Sequence, residues 1–337
     1  MSVRAGLMGF GRIGRNLYRI LHERDDVEVA AISDVADPKA LEYLLRYDTI
    51  RGRFPSPVSI RDGTLRCGDR SARVLSGRDP GDVPWGDLGV EVVVEAAGRS
   101  RRRAESERHL QAGARRVILC APPADPPDVT VVLGVNDAAL RPEHRIVSNA
   151  SCTAHCAAPL LKILHESFGV RRAFLTSVHA YTGRNRLADA PDDDLRLGRA
   201  AAVNVIPTSS NAEELLGEVL PALRGRIAAM ATNVPVADGS LVDLVTWTER
   251  PATRDAVNAA LRAAAGGALR GLVEFEEDPI VSSDVIGNPH SSIVDALSTM
   301  VLGERLVKTV AWYDNSWGYS MRVVDLIGRF ARLEGRG

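Results

Sequence analysis

The sequence predicts an α/β fold. A parallel sheet with helices between its strands comes first, and an α+β domain on a mostly antiparallel sheet follows. Three observations carry this. Short apolar runs alternate with helix-like stretches over the first 150 residues, and longer strand candidates separated by loops or single helices follow residue 170. The 337 residues also exceed one ordinary domain, and about two domains is the prior at this length.

Composition narrows the function. Lys plus Arg number 42 and Asp plus Glu 43, a formal net charge of -1, which argues against a coat for nucleic acid or an anionic membrane. The 45% hydrophobic and 25% charged residues are ordinary globular usage, not disorder. No apolar run is long enough to span a bilayer, and VEVVVEAAG is interrupted by Glu91 and Glu95. The first residues lack a basic stretch, apolar core and cleavage site. Cys67, Cys120, Cys152 and Cys156 are few and irregularly spaced. They read as thiols of a reducing cytoplasm rather than a disulfide framework.

The first thirty-five residues hold a compound signal. The run VRAGLM leads at once into Gly9, Gly11 and Gly14. Ile13, Leu17, Ile20 and Leu21 then recur at helical spacing, and EVAAIS ends at Asp34, twenty residues after Gly14. Gly9 permits a tight strand-to-helix turn, Gly11 lets a pyrophosphate approach the backbone, and Gly14 lets helix and strand pack closely. The helix start favours an anion. Asp34 can accept from ribose hydroxyls and would repel a 2′-phosphate, so the cofactor predicted is NAD rather than NADP. Alone the glycines would be a weak sign; together with both strands, the helix and Asp34 they predict a Rossmann domain.

Further strands are expected at 90–94, 116–119, 129–133 and 145–148, with a helix within RRRAESERHLQAG. Residues 1–151 then form the NAD-binding domain. The second domain, 152–316, carries the strand candidates AFLTSV, RIAAMATNVPV, SLVDLVTWTE and LVKTVAWYD and the helix RDAVNAALRAAAG. The polar segment 180–206 is too long for a plain connector, so it is a functional loop or disordered. RSRRR (99–103) reads as a solvated helix start, and no internal repeat is present.

VSNASCTAHCAAPLLKILHE is the most informative stretch. A strand ends near Ser148 and a helix begins around Ser151, so Cys152 falls in the first helical turn. Helix-start N–H groups and the dipole there favour a nucleophilic thiolate. The competing reading is a small buried hydrophobe, which is what Cys156, one turn on, is expected to be. Among seven histidines, His179 ends a strand and is favoured over His290 as the base; His22, His109, His144 and His165 read as solvated. Cys152, His155 and Cys156 are discounted as a metal site because no partner pair completes four ligands. No metal is expected.

The chain resembles the glyceraldehyde-3-phosphate dehydrogenase family, with erythrose-4-phosphate dehydrogenase a close relative. The resemblance rests on GFGRIGRN (9–16), YDTIRGRF (47–54), VSNASCTAHC (147–156), SVHAYT (177–182), SSIVDALSTM (291–300) and WYDNSWGYS (312–320). It implies that Cys152 attacks an aldehyde to form a thiohemiacetal. His179 then takes the hydroxyl proton during hydride transfer to NAD, and inorganic phosphate attacks the resulting thioester. It implies that Phe10, Arg12, Ile13 and Cys120 join the glycines and Asp34 at the cofactor, that Asn315 holds the nicotinamide carboxamide, and that Tyr319 stands beside it. It further implies that a helix over 317–337 returns to the first domain, that 180–206 packs on a neighbouring subunit, and that the enzyme is a cytoplasmic homotetramer.

The anion-binding positions are mixed. Ser151, Thr153, Thr182 and Arg199 match the family pattern. Asn233 stands where the family has a phosphate-binding arginine, Arg184 where it has an aspartate, and Ser210 and Asn211 where it has Thr and Gly. His155 replaces an Asn, and Met8 another. A lost bidentate contact to phosphate costs about 1.5–3 kcal/mol, roughly ten- to a hundredfold in affinity. The departures are either drift with Arg184 compensating, or the mark of a different substrate. Two alternatives therefore stand beside a phosphorylating dehydrogenase: an enzyme for a non-phosphorylated or differently charged aldehyde with another acyl acceptor, and a non-catalytic NAD- or partner-binding paralogue.

Overall fold

The computed structural model describes residues 2–335. The chain divides into two compact units, one taking residues up to 131, 138–150 and 320 onward, the other 132–137 and 151–319. Among the described residues, no helix is long and apolar enough to cross a membrane.

The first unit runs β1 (Val3–Met8), α1 (Arg12–His22), β2 (Val27–Ser33), α2 (Pro38–Arg46), the small hairpin β3 (Tyr47–Asp48) and β4 (Gly52–Arg53), then β5 (Val58–Arg61), β6 (Thr64–Cys67), β7 (Arg70–Leu75), β8 (Val92–Glu95), α3 (Arg103–Gln111), β9 (Arg116–Leu119), β10 (Val129–Thr130) and β11 (Ile146–Ser148). Its nine-stranded sheet has the order β10-β11-β9-β8-β1-β2-β7-β6-β5. It is parallel except where β6 pairs with β5 and β7. β8 and β9 are buried along their whole length, as parallel strands covered on both faces are. From β1 the order runs one way through β2 and the other through β8, so the carboxyl ends of β1 and β8 form the switch point where ligands bind in such sheets.

Three local readings change. The run 129–133 is strand only to Thr130, because the Asn136 side chain accepts from Val132 N–H at 2.8 Å and turns the chain. The strand expected at 90–94 lies at Val92–Glu95. β5 to β7 were not foreseen, although Asp62 and Gly63, both at positive φ (49° and 65°), form the Asp-Gly turn that joins β5 to β6. His109 is also not solvated. It is fully buried, accepts from Trp85 Nε1–H through Nδ1 at 3.0 Å, and lies 3.2 Å from the Glu95 carboxylate through Nε2. The indole can only donate, so His109 carries its proton on Nε2 and gives it to Glu95.

The second unit contains α4 (Cys152–Phe168), β12 (Val170–Ala180), β13 (Ile206–Ser209), α5 (Ala212–Val219), β14 (Ile227–Val234), β15 (Ser240–Thr248), α6 (Arg254–Gly266), β16 (Val273–Glu276), β17 (Ser292–Leu302) and β18 (Leu306–Tyr313). Its sheet has the order β13-β14-β12-β15-β18-β17-β16. Only β12 with β14 and β16 with β17 pair in parallel. α4, α5 and α6 pack on the sheet, and alternate residues of β12 such as Ala173 and Leu175 are buried while Phe174 between them is exposed. Residues 181–205 form an irregular but internally bonded loop. Ala190 N–H donates to Gly198 O, Ala201 N–H to Arg186 O, and Asp189 takes both Ala200 N–H and the Arg199 guanidinium. The last helix, α7 (Trp317–Leu333), passes from the second unit to the first after Tyr319. In the first unit the Arg116 guanidinium lies 4.6 Å over the Phe330 ring and pairs with Glu334.

Candidate active site

Ser151 caps α4, its hydroxyl accepting from Ala154 N–H at 3.1 Å. The cap places Cys152 at the first helical position, with its side chain partly exposed. Cys152 Sγ lies 3.5 Å from His179 Nε2. His179 Nδ1 lies 2.6 Å from the Ala180 carbonyl, which can only accept, so the neutral imidazole is protonated at Nδ1 and presents a lone pair to the sulfur. Burial pulls the His179 pKa down. The hydrogen bond and charge of Cys152 as thiolate outweigh it, helped by Ala180 and the Asp238 carboxylate, and the net position is above that of an ordinary histidine. A thiol beside a base whose far nitrogen is fixed is the arrangement of an activated nucleophile.

Cys156 is fully buried, with its sulfur 3.8 Å from Ser292 Oγ and 3.7 Å from Ala311 O. Burial pushes this thiol far up, away from nucleophilic use. Beneath Cys152 the Tyr313 hydroxyl meets Thr153 Oγ1 at 3.0 Å and Ser177 Oγ at 2.9 Å. Burial holds that phenol protonated. The His155 and Tyr319 rings, both buried, meet edge to face at 6.0 Å. Asn315 is 7% exposed, and its Oδ1 accepts from Ser240 Oγ–H at 2.9 Å.

The anion-binding candidates scatter more. Asn233 is the register partner of His179 across β12 and β14, and Ile206 is paired to its other side. Ser210 Oγ accepts from Ala212 N–H at the start of α5, where Asn211 supplies no side-chain cap. Thr182 accepts from Arg184 N–H at 3.3 Å, and Arg184 itself is exposed. The Arg199 side chain, 60% exposed, is paired with Asp189 at 3.0 Å. Thus Thr153 and Asn233 lie beside the Cys152–His179 pair in the fold, whereas both candidate guanidiniums sit on the loop.

In the first unit the three glycines do three different things. Gly9 has φ +96°, and a Cβ there would come within 2.5 Å of Ala97 N. A Cβ on Gly14 would meet Gly9 O at 2.2 Å, so α1 can approach β1 only without it. A Cβ on Gly11 would meet nothing within 4 Å. Gly11 gives α1 no side-chain cap, which leaves the helix start to an incoming anion. Asp34 accepts from Phe10 N–H at 2.7 Å and Ala36 N–H at 2.9 Å, which holds its carboxylate at the end of β2 with lone pairs to spare. These residues fit a dinucleotide. Cys120 is anchored by its N–H to Glu95 O, next to the loop that abuts Gly9. Ser240, Ser177, Tyr313 and the Glu95–His109 pair were missed in the sequence. Each is brought to its partner by strand register or burial, which leaves no local motif.

Comparison with known families matches residues 3–103 to the glyceraldehyde 3-phosphate dehydrogenase NAD binding domain and residues 151–315 to the glyceraldehyde 3-phosphate dehydrogenase C-terminal domain. Glyceraldehyde-3-phosphate dehydrogenase 1 of Streptomyces avermitilis is 49% identical over 328 residues, covering 97% of this chain and 98% of that protein. The glyceraldehyde-3-phosphate dehydrogenase of Geobacillus stearothermophilus is 46% identical over 332 residues, covering 98% and 99%. That of Mycobacterium avium is 46% identical over 334 residues, covering 97% and 98%.

Proposed function

We propose a function from one premise: the chain belongs to the glyceraldehyde 3-phosphate dehydrogenase family. It is an NAD-dependent oxidoreductase that oxidises glyceraldehyde 3-phosphate and passes the acyl group to inorganic phosphate. The observation that carries the chemistry is the Cys152 sulfur 3.5 Å from His179 Nε2, with Nδ1 committed to Ala180. Cys152 gives its thiol proton to His179 Nε2 and attacks the aldehyde carbon as the thiolate, and the imidazolium returns that proton to the oxyanion to give a thiohemiacetal. NAD, when bound, supplies the acceptor for the hydride. His179 Nε2 takes the hydroxyl proton as the carbon bound to sulfur reaches the acyl level. Phosphate attack on the thioester then expels the Cys152 thiolate and leaves an acyl phosphate.

Gly9, Phe10, Gly11, Arg12, Ile13, Gly14, Asp34 and Cys120 hold the dinucleotide in this reading, and Asn315 and Tyr319 its nicotinamide end. Ser151, Thr153, Thr182, Ser210, Asn211 and Asn233 line the substrate and phosphate positions, with Arg184 and Arg199 as the nearby cations. The enzyme works in the cytoplasm as a homotetramer. Identity of 46–49% along nearly the whole chain favours neither a changed aldehyde nor a non-catalytic paralogue. The test is a panel of aldehydes, each with and without phosphate and with and without inorganic phosphate, followed by NADH absorbance. Turnover of glyceraldehyde 3-phosphate that requires inorganic phosphate supports the reading; turnover only of uncharged aldehydes, or none, refutes it.

A further inference from the structure

We propose that Ser240 is a positioning residue for the cofactor: its hydroxyl proton fixes which end of the Asn315 amide is presented to the nicotinamide. The inference rests on the reading that Asn315 holds the nicotinamide carboxamide. Ser240 is 1% exposed and opens β15, in register with Tyr313 on β18. Its place is set from both sides. Gly239 before it has φ +85°, and a Cβ there would lie 2.0 Å from Ser282 O. Ala180 N–H, at the end of β12, donates to Ser240 Oγ at 3.0 Å.

The consequence follows from counting protons. A hydroxyl has one proton to give. Ala180 N–H can only donate, so Ser240 accepts there and gives its own proton to Asn315 at 2.9 Å. The Asn315 atom facing Ser240 is therefore the acceptor Oδ1, and Nδ2 with its two protons is the end left over. Among the described residues Nδ2 has no hydrogen-bond partner. Turning the amide over would set a donor against Ser240 and leave the hydroxyl proton unused in a buried place, a bias of about ten- to a hundredfold. Asn315 thus offers a donor, which matches the carbonyl oxygen of a carboxamide and not its NH₂.

The test uses the full-length enzyme and calorimetric dissociation constants for NAD and for 3-acetylpyridine adenine dinucleotide, which keeps the carbonyl and lacks the NH₂. Wild type should bind both within about threefold, since the donor meets the oxygen they share. Ser240→Ala should weaken NAD about tenfold and Ser240→Thr, which keeps the hydroxyl, by less than about threefold. In Asn315→Ala, adding Ser240→Ala should cost no further affinity, a non-additivity that a merely structural role would not produce. The rate of Cys152 alkylation without cofactor should stay within about twofold in Ser240→Ala, which reports that the site is still folded. If Asn315→Ala leaves NAD affinity intact, the assignment of Asn315 fails and the proposal with it. If Asn315→Ala weakens NAD but Ser240→Ala does not, or the two losses add, only the proposal fails. Parallel loss of Cys152 alkylation in Ser240→Ala also overturns it.

Discussion

The glycine turn allows stability and cofactor binding to be separated by single methyl groups. Gly11→Ala adds a Cβ with nothing within 4 Å, at a backbone of φ -69° and ψ -158° that alanine adopts. The folded protein should therefore lose nothing and gain up to about 1 kcal/mol from a less flexible unfolded chain. The methyl nevertheless fills the space through which a pyrophosphate would approach, so the NAD dissociation constant should rise by at least about tenfold, or about 1.4 kcal/mol. Gly14→Ala is the opposite case. Its Cβ would lie 2.2 Å from Gly9 O, and Gly9 cannot retreat, being pinned by its N–H to Ser33 O at 2.8 Å and abutting Ala97. Overpacking of this kind costs about 1–3 kcal/mol, a fall of roughly 2–10 °C in Tm. It should also disturb the 2.7 Å contact from Phe10 N–H to Asp34. Differential scanning fluorimetry and calorimetry measure both quantities, and iodoacetamide labelling of Cys152 without cofactor serves as a control in the second unit. A Gly11→Ala enzyme that binds NAD as wild type does would show that the open space beside Gly11 is not the cofactor cradle. A Gly14→Ala enzyme as stable as wild type would refute the close-packing argument.

Further outcomes are expected. Brief iodoacetamide labelling followed by peptide mapping should mark Cys152 far ahead of Cys67, Cys120 and Cys156, and His179→Asn should slow turnover by about 10²–10⁴-fold. The His179 NMR titration midpoint should lie above that of an ordinary histidine and fall in Cys152→Ala, because the thiolate that raises it is gone while burial remains; an unmoved midpoint would sink the pairing. Asn233→Arg should lower KM for glyceraldehyde 3-phosphate by about ten- to a hundredfold. Arg184→Ala should raise that KM more than the KM of an uncharged aldehyde, and equal changes would make Arg184 a surface residue only. Glu95→Gln should lower Tm despite its matching shape, because the carboxylate accepts from both Ala97 N–H and His109 Nε2–H and an amide turns a donor toward one of them. The cost is about 1–3 kcal/mol, and an unchanged Tm would mean that His109 does not donate to Glu95.

What could be read from the sequence was what is encoded locally. The glycine turn, α1 and Asp34 lie within one stretch of chain, and each makes its neighbour's role specific. The same holds for Ser148, Ser151 and Cys152, where a strand end, a cap and a nucleophile follow one another. β5 to β7 carried a local signal too, in Asp62-Gly63, but their polar, alternating residues lack the unbroken apolar runs that mark the buried parallel strands. The run 129–133 failed in the other direction. Val131, Val132 and Leu133 are buried, yet Asn136 captures the Val132 N–H and ends the strand.

The polar network around the site was not legible, for a physical reason. A side chain's hydrogen-bonding role depends on what its partner can give or take, and the partners here are far apart in sequence. His109 sits in a polar helix and reads as solvated, but α3 turns it inward onto Trp85, 24 residues away, and Glu95, 14 away. One donor-only indole and one acceptor-only carboxylate then settle its tautomer. His179 follows the same rule with a nearer partner, since Ala180 O fixes its proton and so aims its lone pair at Cys152. Ser240 and Asn315 are 75 residues apart, and nothing in ADGS or YDNS announces that one orients the other. In each case a group that can only donate, or only accept, stands at one end of a short chain of contacts and dictates the state of every group along it. A substitution that keeps shape but reverses that one group should therefore do more damage than one that merely removes a contact at the other end.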